Sequence, residues 1–210
     1  MLIKTQNMCK ICTSRKGEPM EIDDVIQHVR LMGMCESIRA SKYPMAVDTE
    51  DCGGDATERT YALAKCGTGT GHDQFLTGIV VQFDLTFTIK AWVEAERYHF
   101  LDFVSSQSTM HCITKMDIER QCIKYVNKQT INLCKKLVDA YNADPTPENY
   151  LTLLYNIPVG FRLTARMTTN YRQLKTIYQQ RRNHRLPEWK IFCRWIEGLW
   201  NSEFITGGAE

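Results

Sequence analysis

The sequence contains no apolar run near the roughly 20 residues that a membrane-spanning helix needs, and Met1 to Lys10 have no secretory core. An excess of charge of one sign is also lacking, since the 210 residues carry a formal net charge of only +2. A balance this close to zero gives no reason to expect binding to a nucleic-acid backbone. We therefore expect a cytoplasmic protein that has neither a membrane nor a nucleic acid as its partner.

A disulfide framework is absent as well. The nine cysteines are an odd number and are scattered along the chain, which is typical of a protein from a reducing compartment. Cys9 and Cys12 form one isolated C-x-x-C, but a structural zinc site needs a second pair of ligands. The nearby candidates, His28 and Cys35, are poorly spaced. We expect two free thiols in a loose N-terminal arm and no metal site.

The glycine-rich run from Cys66 to Gly71 lacks the Gly-Lys-Ser/Thr that completes a phosphate-binding P-loop. What the chain does have is an ordinary globular composition, with 43% hydrophobic and 24% charged residues. Its length suits one domain with a substantial core. We place an N-terminal extension at 1–20, a single domain at 21–200 and a loose tail at 201–210.

The clearest element is a strand. From Val81 to Ile89 apolar and polar residues alternate strictly, which predicts a strand that is buried on one face. The composition of Ala91 to His99 then predicts a short helix with Glu94 and Arg97 on its polar side, and a Ser-Ser-Gln-Ser segment follows. Cationic and hydroxyl groups gathered in this way can hold a phosphate or a flavin. The alternative is a solvated helix face followed by a serine turn.

Apolar periodicity predicts a helix over Asn170 to Arg182, whose apolar face includes Arg181. A charged group on such a face is costly to bury unless it is paired, so Arg181 needs an anionic ligand, a water-filled cleft, or a salt bridge to Glu188 or Asp102. The other predicted elements are helices over 19–35, 60–65, 116–141, 148–155 and from Pro187 onward, and a strand over 161–167 that presents Arg162 and Arg166 on one side.

Two blocks of residues resemble the motifs of a known family. In the first block, Gly71-His72 precedes the strand, with Leu76 where the family has Phe. Arg97-Tyr98-His99 then stands at the family's Arg-His-Arg, and Ser106-Gln107-Ser108 resembles its Glu-x-Ser with one inserted residue. At these residues the sequence resembles the flavin-dependent thymidylate synthases.

The second block lies towards the C-terminus. Thr168 to Arg181 resembles the family's Thr-x-Asn-x-Arg-Ser-Leu-x-x-Phe-x-x-x-Arg, and Pro187 to Ile191 resembles its Ala-Gln-Trp-Glu-Ile. Ile157-Pro158 stands where a Leu-Pro precedes this block in the family. The blocks follow one another in the same order, so the resemblance extends from Ile38 to Ile196.

The resemblance implies an α+β fold, with an antiparallel or mixed sheet flanked by helices, assembled as a homotetramer. It implies transfer of a one-carbon unit from methylenetetrahydrofolate to C5 of dUMP or another pyrimidine nucleotide, with FAD carrying reducing equivalents from NADPH. Because the cofactor does the bond making, the protein supplies orientation and charge. The implied residues are Arg181 and Ser108 for catalysis, His72, Arg97, His99 and Asn170 for the cofactor, and Glu94, Ser106, Gln107, Ser108, Arg172 and Arg181 for the substrate.

Three positions depart from the family pattern. Met110 stands where the family has the nucleotide-binding Arg that ends its serine motif, Leu154 stands where it has the Arg before Leu-Pro, and Ser106 replaces its Glu. Two phosphate-binding cations are therefore missing, and we predict that Arg162 or Arg166 replaces them in substrate binding. The alternative to an enzyme is a non-catalytic nucleotide- or flavin-binding module that has kept the fold and lost the reaction.

Overall fold

The computed structural model describes residues 20–207. The predicted N-terminal extension, apart from residue 20, and the Cys9–Cys12 pair therefore lie outside the described residues. The described chain is an α+β fold around one four-stranded antiparallel sheet with strand order β1-β2-β4-β3. The strands are β1 (Ile26–Met32), β2 (Val80–Thr88), β3 (Asp102–Ser106) and β4 (Arg162–Asn170).

Helices flank the sheet. They are α1 (Ile22–Val25), α2 (Met34–Ala40), α3 (Glu58–Lys65), α4 (Ile89–Ala95), α5 (Thr109–Cys112), α6 (Ile118–Gln121), α7 (Lys128–Ala143), α8 (Pro147–Tyr155), α9 (Tyr171–Arg181), α10 (Pro187–Glu197) and α11 (Glu203–Thr206), with 3₁₀ turns at Tyr43–Met45, Thr49–Asp51, Gln74–Gly78 and Ile113–Lys115. No helix within residues 20–207 is both long and apolar enough to cross a membrane.

The predicted strand β2 is confirmed and lies at the centre of the fold. Its alternate residues Val81, Phe83, Leu85 and Phe87 are fully buried, while those between them are partly exposed up to Thr86. The buried face packs against the aromatic side of α10, where the ring centroids of Phe83 and Trp195 lie 4.7 Å apart. The one-sided burial follows from the period of two along a strand.

The predicted helix over 19–35 is wrong. In the described part of that range Ile22–Val25 is helical, Ile26–Met32 forms the edge strand β1, paired with β2, and α2 begins at Met34. The register of β1 shifts between Gln27 and Arg30, and His28 has a left-handed φ of 51°. Such a bulge inserts a residue into one strand. The apolar side chains therefore lose the period of two, and the spacing in the sequence imitates a helix.

The predicted helix over 116–141 is only partly correct. The long helix α7 begins at Lys128, and the short helix α6 precedes it. Between them Cys122 forms an isolated antiparallel bridge with Phe161, the residue just before β4. This region builds a second apolar cluster that includes Ile113, Leu153 and Phe161. Burial in that cluster, and not one continuous helix, explains the apolar pattern.

The remaining elements agree with the predictions more closely. Helices α3, α8, α9 and α10 and strand β4 all occur near their predicted positions. The side-chain oxygen of Asn170 caps α9 by accepting the backbone N–H of Gln173 at 2.9 Å. The predicted loose tail is wrong for its first residues, because Phe204 and Ile205 of α11 are buried in the main core.

Candidate functional site

Arg181 lies at the last turn of α9 and is only 5% exposed. Its Nη1 donates to Oε2 of Glu94 at 3.0 Å and its Nε donates to the hydroxyl of Tyr98 at 2.7 Å. The guanidinium carbon lies 4.8 Å from the ring centroid of Trp189, a cation–π contact. Its Nη2 is buried and has no hydrogen-bond partner among the described residues. This leaves the N–H groups of Nη2 for a ligand or water.

The predicted need of Arg181 for an anionic partner is therefore confirmed, but the two partners suggested from the sequence are wrong. The partner is Glu94 on α4, not Glu188 or Asp102. Helix α4 begins after the N-cap residue Thr88, whose hydroxyl accepts the N–H of Ala91 at 3.2 Å. One and a half turns of this helix bring the Glu94 carboxylate to the end of α9.

Glu94 is the centre of a charged cluster that also includes Lys90 and His184. Lys90 Nζ donates to Oε1 of Glu94 at 2.9 Å, and Nε2 of His184 lies 3.1 Å from Oε2. Burial alone would raise the pKa of Glu94, but the hydrogen bond from Lys90, the interaction with His184 and the charges of Lys90 and Arg181 lower it overall. Glu94 is therefore an ionised hydrogen-bond acceptor.

His184 completes the cluster as a neutral side chain. Burial lowers its pKa, an effect that Glu94 opposes and that the charges of Arg181, Lys90 and Arg97 strengthen. Its Nδ1 accepts the backbone N–H of Leu186 at 3.2 Å, so the proton of the neutral ring lies on Nε2, which donates to Glu94. Arg97 and Arg181 both act on His184 through their charges, so the predicted residue Arg97 lies on the same side of the fold as Arg181.

A cavity of about 500 Å³ adjoins this cluster. Its walls come from the β2–α4 junction, the segment before α7, the turn before β4 and the start of α10, namely Thr88, Lys90, Ile123, Tyr125, Val126, Thr130, Pro158, Val159, Gly160, Arg185, Leu186, Pro187 and Glu188. Its size falls in the range of about 300–1,000 Å³ that is typical of small-molecule sites. Sequence reasoning missed it because its walls are distant along the chain.

Glu188 is the buried acidic residue in the wall of this cavity, with 1% of its surface exposed. The hydroxyl of Thr88 donates to its Oε1 at 2.6 Å. Its Oε2 is buried without a hydrogen-bond partner in the part of the chain that the structure describes. A buried carboxylate oxygen left in this state is destabilising unless a ligand or water pairs with it.

Arg172 and His72, by contrast, lie near the other end of α9. Arg172 donates to Asp73 at 3.1 Å and to Gln74 at 2.9 Å, and His72 is exposed in the preceding loop. At about 1.5 Å per residue, Arg172 is roughly 13 Å from Arg181 along the helix axis. Within one protomer the fold therefore does not bring these two predicted residues together with Arg181.

The serine segment forms a strand edge. Ser106 ends β3, and Gln107 continues the pairing with β4, since its backbone N–H donates to the carbonyl of Thr164 and its side-chain oxygen accepts the N–H of Thr164, both at 2.9 Å. The predicted alternative of a serine turn is wrong at Ser106. Ser106 and Gln107 line a second cavity of about 200 Å³, and Ser108 is the N-cap residue of α5.

Arg162 and Arg166 lie on the same face of β4, as predicted, but both have partners inside the protomer. Arg162 donates to the backbone carbonyl of Arg120 at 2.6 Å. Arg166 donates to Asp84 at 3.2 Å and to the backbone carbonyl of His28 at 2.8 Å. A phosphate would have to compete with these groups, so their predicted role in substrate binding stays a prediction.

The other predicted residues differ in exposure. His99 and Arg97 are exposed and flank the buried Tyr98, while Asn170 is half-buried at the start of α9. No group of three or more His, Cys, Asp or Glu side chains suited to a metal ion occurs between residues 20 and 207.

The charged residues around Glu94 and the adjoining cavity are therefore the candidate site: an ionised carboxylate, a buried guanidinium with a free donor, and a concave apolar wall.

Comparison with known proteins gives a match at the level of structure. The chain is similar to a crystal structure of the flavin-dependent thymidylate synthase of Helicobacter pylori complexed with FAD and dUMP, with a TM-score of 0.70, 12% identity, and coverage of 91% of this chain and 100% of that one. It is also similar to a UMP/dUMP methylase of Streptomyces cacaoi bound with 5-Br dUMP, with a TM-score of 0.57, 14% identity, and coverage of 86% and 96%.

No family profile and no curated protein sequence matches the chain. The structural match extends over nearly the whole length of both chains, so the α+β fold is that of the flavin-dependent thymidylate synthases. The fold resemblance inferred from two sequence blocks is thereby confirmed, although identity is low.

Proposed function

We propose that the protein is a divergent enzyme of the flavin-dependent thymidylate synthase type. It transfers a one-carbon unit from methylenetetrahydrofolate to C5 of dUMP or another pyrimidine nucleotide, using FAD and NADPH. The single observation that carries the proposal is the state of Arg181, which is buried in the cluster that Lys90 joins to the cavity and whose Nη2 has no partner among the described residues. The nucleotide and flavin named for the structural neighbours support the ligand classes.

Arg181 is suited to polarise a carbonyl oxygen of a pyrimidine ring. Its Nη1 and Nε are held by Glu94 and Tyr98, so the side chain cannot turn away, and its Nη2 remains to donate. A fixed cationic donor in a buried setting interacts strongly with charge that develops on an oxygen. Glu94 positions this donor and keeps it from being an unpaired buried charge.

The residues around Tyr98 fit a flavin. Arg97 and His99 are exposed on either side of this ring and offer cationic or hydrogen-bonding groups to a diphosphate or a flavin ring edge. Arg97 and His99 would hold the group, with His72 and Asn170 contributing at the other end of α9. When bound, FAD supplies the hydride-transfer chemistry, and the protein supplies binding, orientation and charge.

We also propose that the active unit is a homotetramer. Within one protomer Arg172 and His72 lie at the opposite end of α9 from Arg181, and Ser106, Gln107 and Ser108 lie on the edge strand β3 or just beyond it. A site that uses all of them needs surfaces from more than one copy. Molar mass from light scattering on the purified protein tests this point, and a monomer at micromolar concentration would contradict it.

The rival is a nucleotide- or flavin-binding module without turnover. In its favour, Met110 and Leu154 supply no cation, and Arg162 and Arg166 are already paired. Charge-assisted hydrogen bonds contribute roughly 1.5–3 kcal/mol each. Loss of two such cations without replacement would weaken phosphate binding severely, and mutation of both Arg162 and Arg166 to Ala tests whether they compensate. Unchanged nucleotide affinity in that variant would refute their role.

An absorbance spectrum of the purified protein tests the proposed function. We expect a flavin band that NADPH bleaches and air restores, and nucleotide binding that weakens in Arg181→Lys, because a lysine cannot keep the planar fork of donors. Arg194→Lys, at an exposed position on α10, is the matched control and should bind as the native protein does. A protein that stays colourless after incubation with FAD, yet binds nucleotides, would favour the module.

A further inference from the structure

We propose that the cavity beside Glu188 binds a pyrimidine nucleotide whose base carries an exocyclic amino group, of the cytosine type, in preference to a uracil nucleotide. The inference rests on the proposed function in one respect, because it names the substrate class for the cavity that adjoins the Glu94 cluster through Lys90.

Glu188 is held in place by a hydrogen bond from Thr88. Thr88 Oγ1 accepts the backbone N–H of Ala91, so its single proton is directed to Oε1 of Glu188 at 2.6 Å. This hydrogen bond fixes the carboxylate. The remaining oxygen, Oε2, is buried and has no partner among residues 20–207. Glu188, a residue of the cavity wall, therefore has a fixed carboxylate with one acceptor that lacks a donor.

The unpaired acceptor of Glu188 favours a base that offers a hydrogen-bond donor. A carboxylate only accepts hydrogen bonds, and acidic side chains recognise cytosine by accepting from its N4 amino group. Uracil has the O4 carbonyl at that position. An oxygen facing a carboxylate oxygen leaves both acceptors without a donor, which is unfavourable in a buried site. Glu188 stands where the family that the sequence resembles has Gln. A Gln amide both donates and accepts hydrogen bonds, whereas the carboxylate of Glu188 only accepts them.

Other residues of the cavity wall suit the phosphate and the ring of a nucleotide. Lys90 and Arg185 line the same cavity and offer positive charge to a phosphate. Apolar side chains of Ile123, Val126 and Leu186 supply a surface for a flat ring. A volume of about 500 Å³ is in the range of small-ligand sites. The acceptor of Glu188, the apolar wall and the cationic groups therefore match the amino group, the flat ring and the phosphate of a nucleoside monophosphate.

The test is calorimetric titration of the full-length protein with dCMP and with dUMP. We expect dCMP to bind at least about tenfold more tightly, a difference of about 1.4 kcal/mol. In Glu188→Gln the amide can pair with either base, so the preference should fall to less than about threefold. Equal or tighter binding of dUMP to the native protein, no binding of either nucleotide, or an unchanged preference in the folded Glu188→Gln variant would overturn the proposal.

Two further variants keep the test decisive. Glu36→Gln removes an exposed acid on α2 and should keep the full preference for dCMP. Arg185→Gln changes an exposed residue of the cavity wall, so folding is not at risk even if Glu188→Gln is unstable. It should weaken dCMP binding at least about fivefold and leave deoxycytidine binding unchanged. Equal loss for nucleoside and nucleotide, or no loss, would contradict the assignment.

Failure of this inference differs from failure of the proposed function. A protein that carries flavin and binds dUMP as tightly as dCMP keeps the proposed function and loses the base preference. A protein that prefers dCMP but never takes up flavin keeps the preference and loses the reaction. The two results come from separate measurements, a titration and a spectrum.

Discussion

At the scale of single residues, two buried cations of α9 are stabilised in different ways. Arg181 keeps an unpaired donor, while Lys175 has none to spare. The ammonium group of Lys175, whose side chain is 1% exposed, donates to the carbonyls of Ala64 at 2.6 Å and Cys66 at 2.5 Å and to Asp73 at 3.1 Å. Three acceptors match the three donors of an ammonium. Lys175 therefore has a structural role, and Arg181 is the residue available to a ligand.

Replacing Lys175 by Met tests this structural role. Asp73 is fully buried and would keep only Arg172 as its charged partner, so the free energy of unfolding should fall by roughly 3–5 kcal/mol, as for other broken buried pairs. Urea denaturation measures the change. Lys136→Met, at an exposed position of α7, is the control and should change stability by less than about 0.5 kcal/mol. A Lys175→Met protein as stable as the native one would contradict the buried network.

At the scale of elements, the turn between β1 and α2 depends on backbone geometry. Gly33 has φ of +77°, and a Cβ built on it would lie 2.3 Å from the carbonyl oxygen of Gly78. Only glycine adopts this conformation readily and lets the two segments approach so closely. The helix predicted over 19–35 would run through Gly33, whereas Gly33 joins an edge strand to the helix that follows.

We expect Gly33→Ala to lower the free energy of unfolding by at least about 2 kcal/mol, because left-handed backbone and steric overlap both disfavour a Cβ there. The midpoint of thermal or urea unfolding measures the loss. Gly53→Ala is a matched control, since an added Cβ has no atom within 4 Å and the backbone is not left-handed. Its effect should stay under about 1 kcal/mol. Equal effects for both variants would show that the Gly33 turn relaxes freely.

At the scale of the whole molecule, the C-terminal helix α11 closes the core that the sheet and α9 begin. Phe204 is 1% exposed, and its ring centroid lies 5.0 Å from that of Tyr61 and 5.7 Å from that of Phe75. It thus joins α3 and the turn before β2 to the end of the chain. The sequence suggested a loose tail because four residues of helix are too short for a periodic signal.

Phe204→Ala should lower the free energy of unfolding by roughly 3–5 kcal/mol, because it leaves a cavity beside the rings of Tyr61 and Phe75. Trp200→Ala provides the control, since this large ring is 59% exposed and its loss should cost about 1 kcal/mol or less. Chemical denaturation of both variants gives the comparison. If Phe204→Ala proved as mild as Trp200→Ala, α11 would not be part of the cooperative core.

The sequence by itself determined the elements whose signal is local: the alternation of β2, the apolar face of α9, and the need of Arg181 for an anionic partner. Periodicity of this kind depends on the geometry of neighbouring residues, so it can be read along the chain. Only the tertiary structure decided that the partner is Glu94, 87 residues away, that β1 is a bulged strand, and that Glu188 faces Thr88 in the wall of a cavity. Such choices depend on which segments meet when the core closes, and the order of residues along the chain does not specify them.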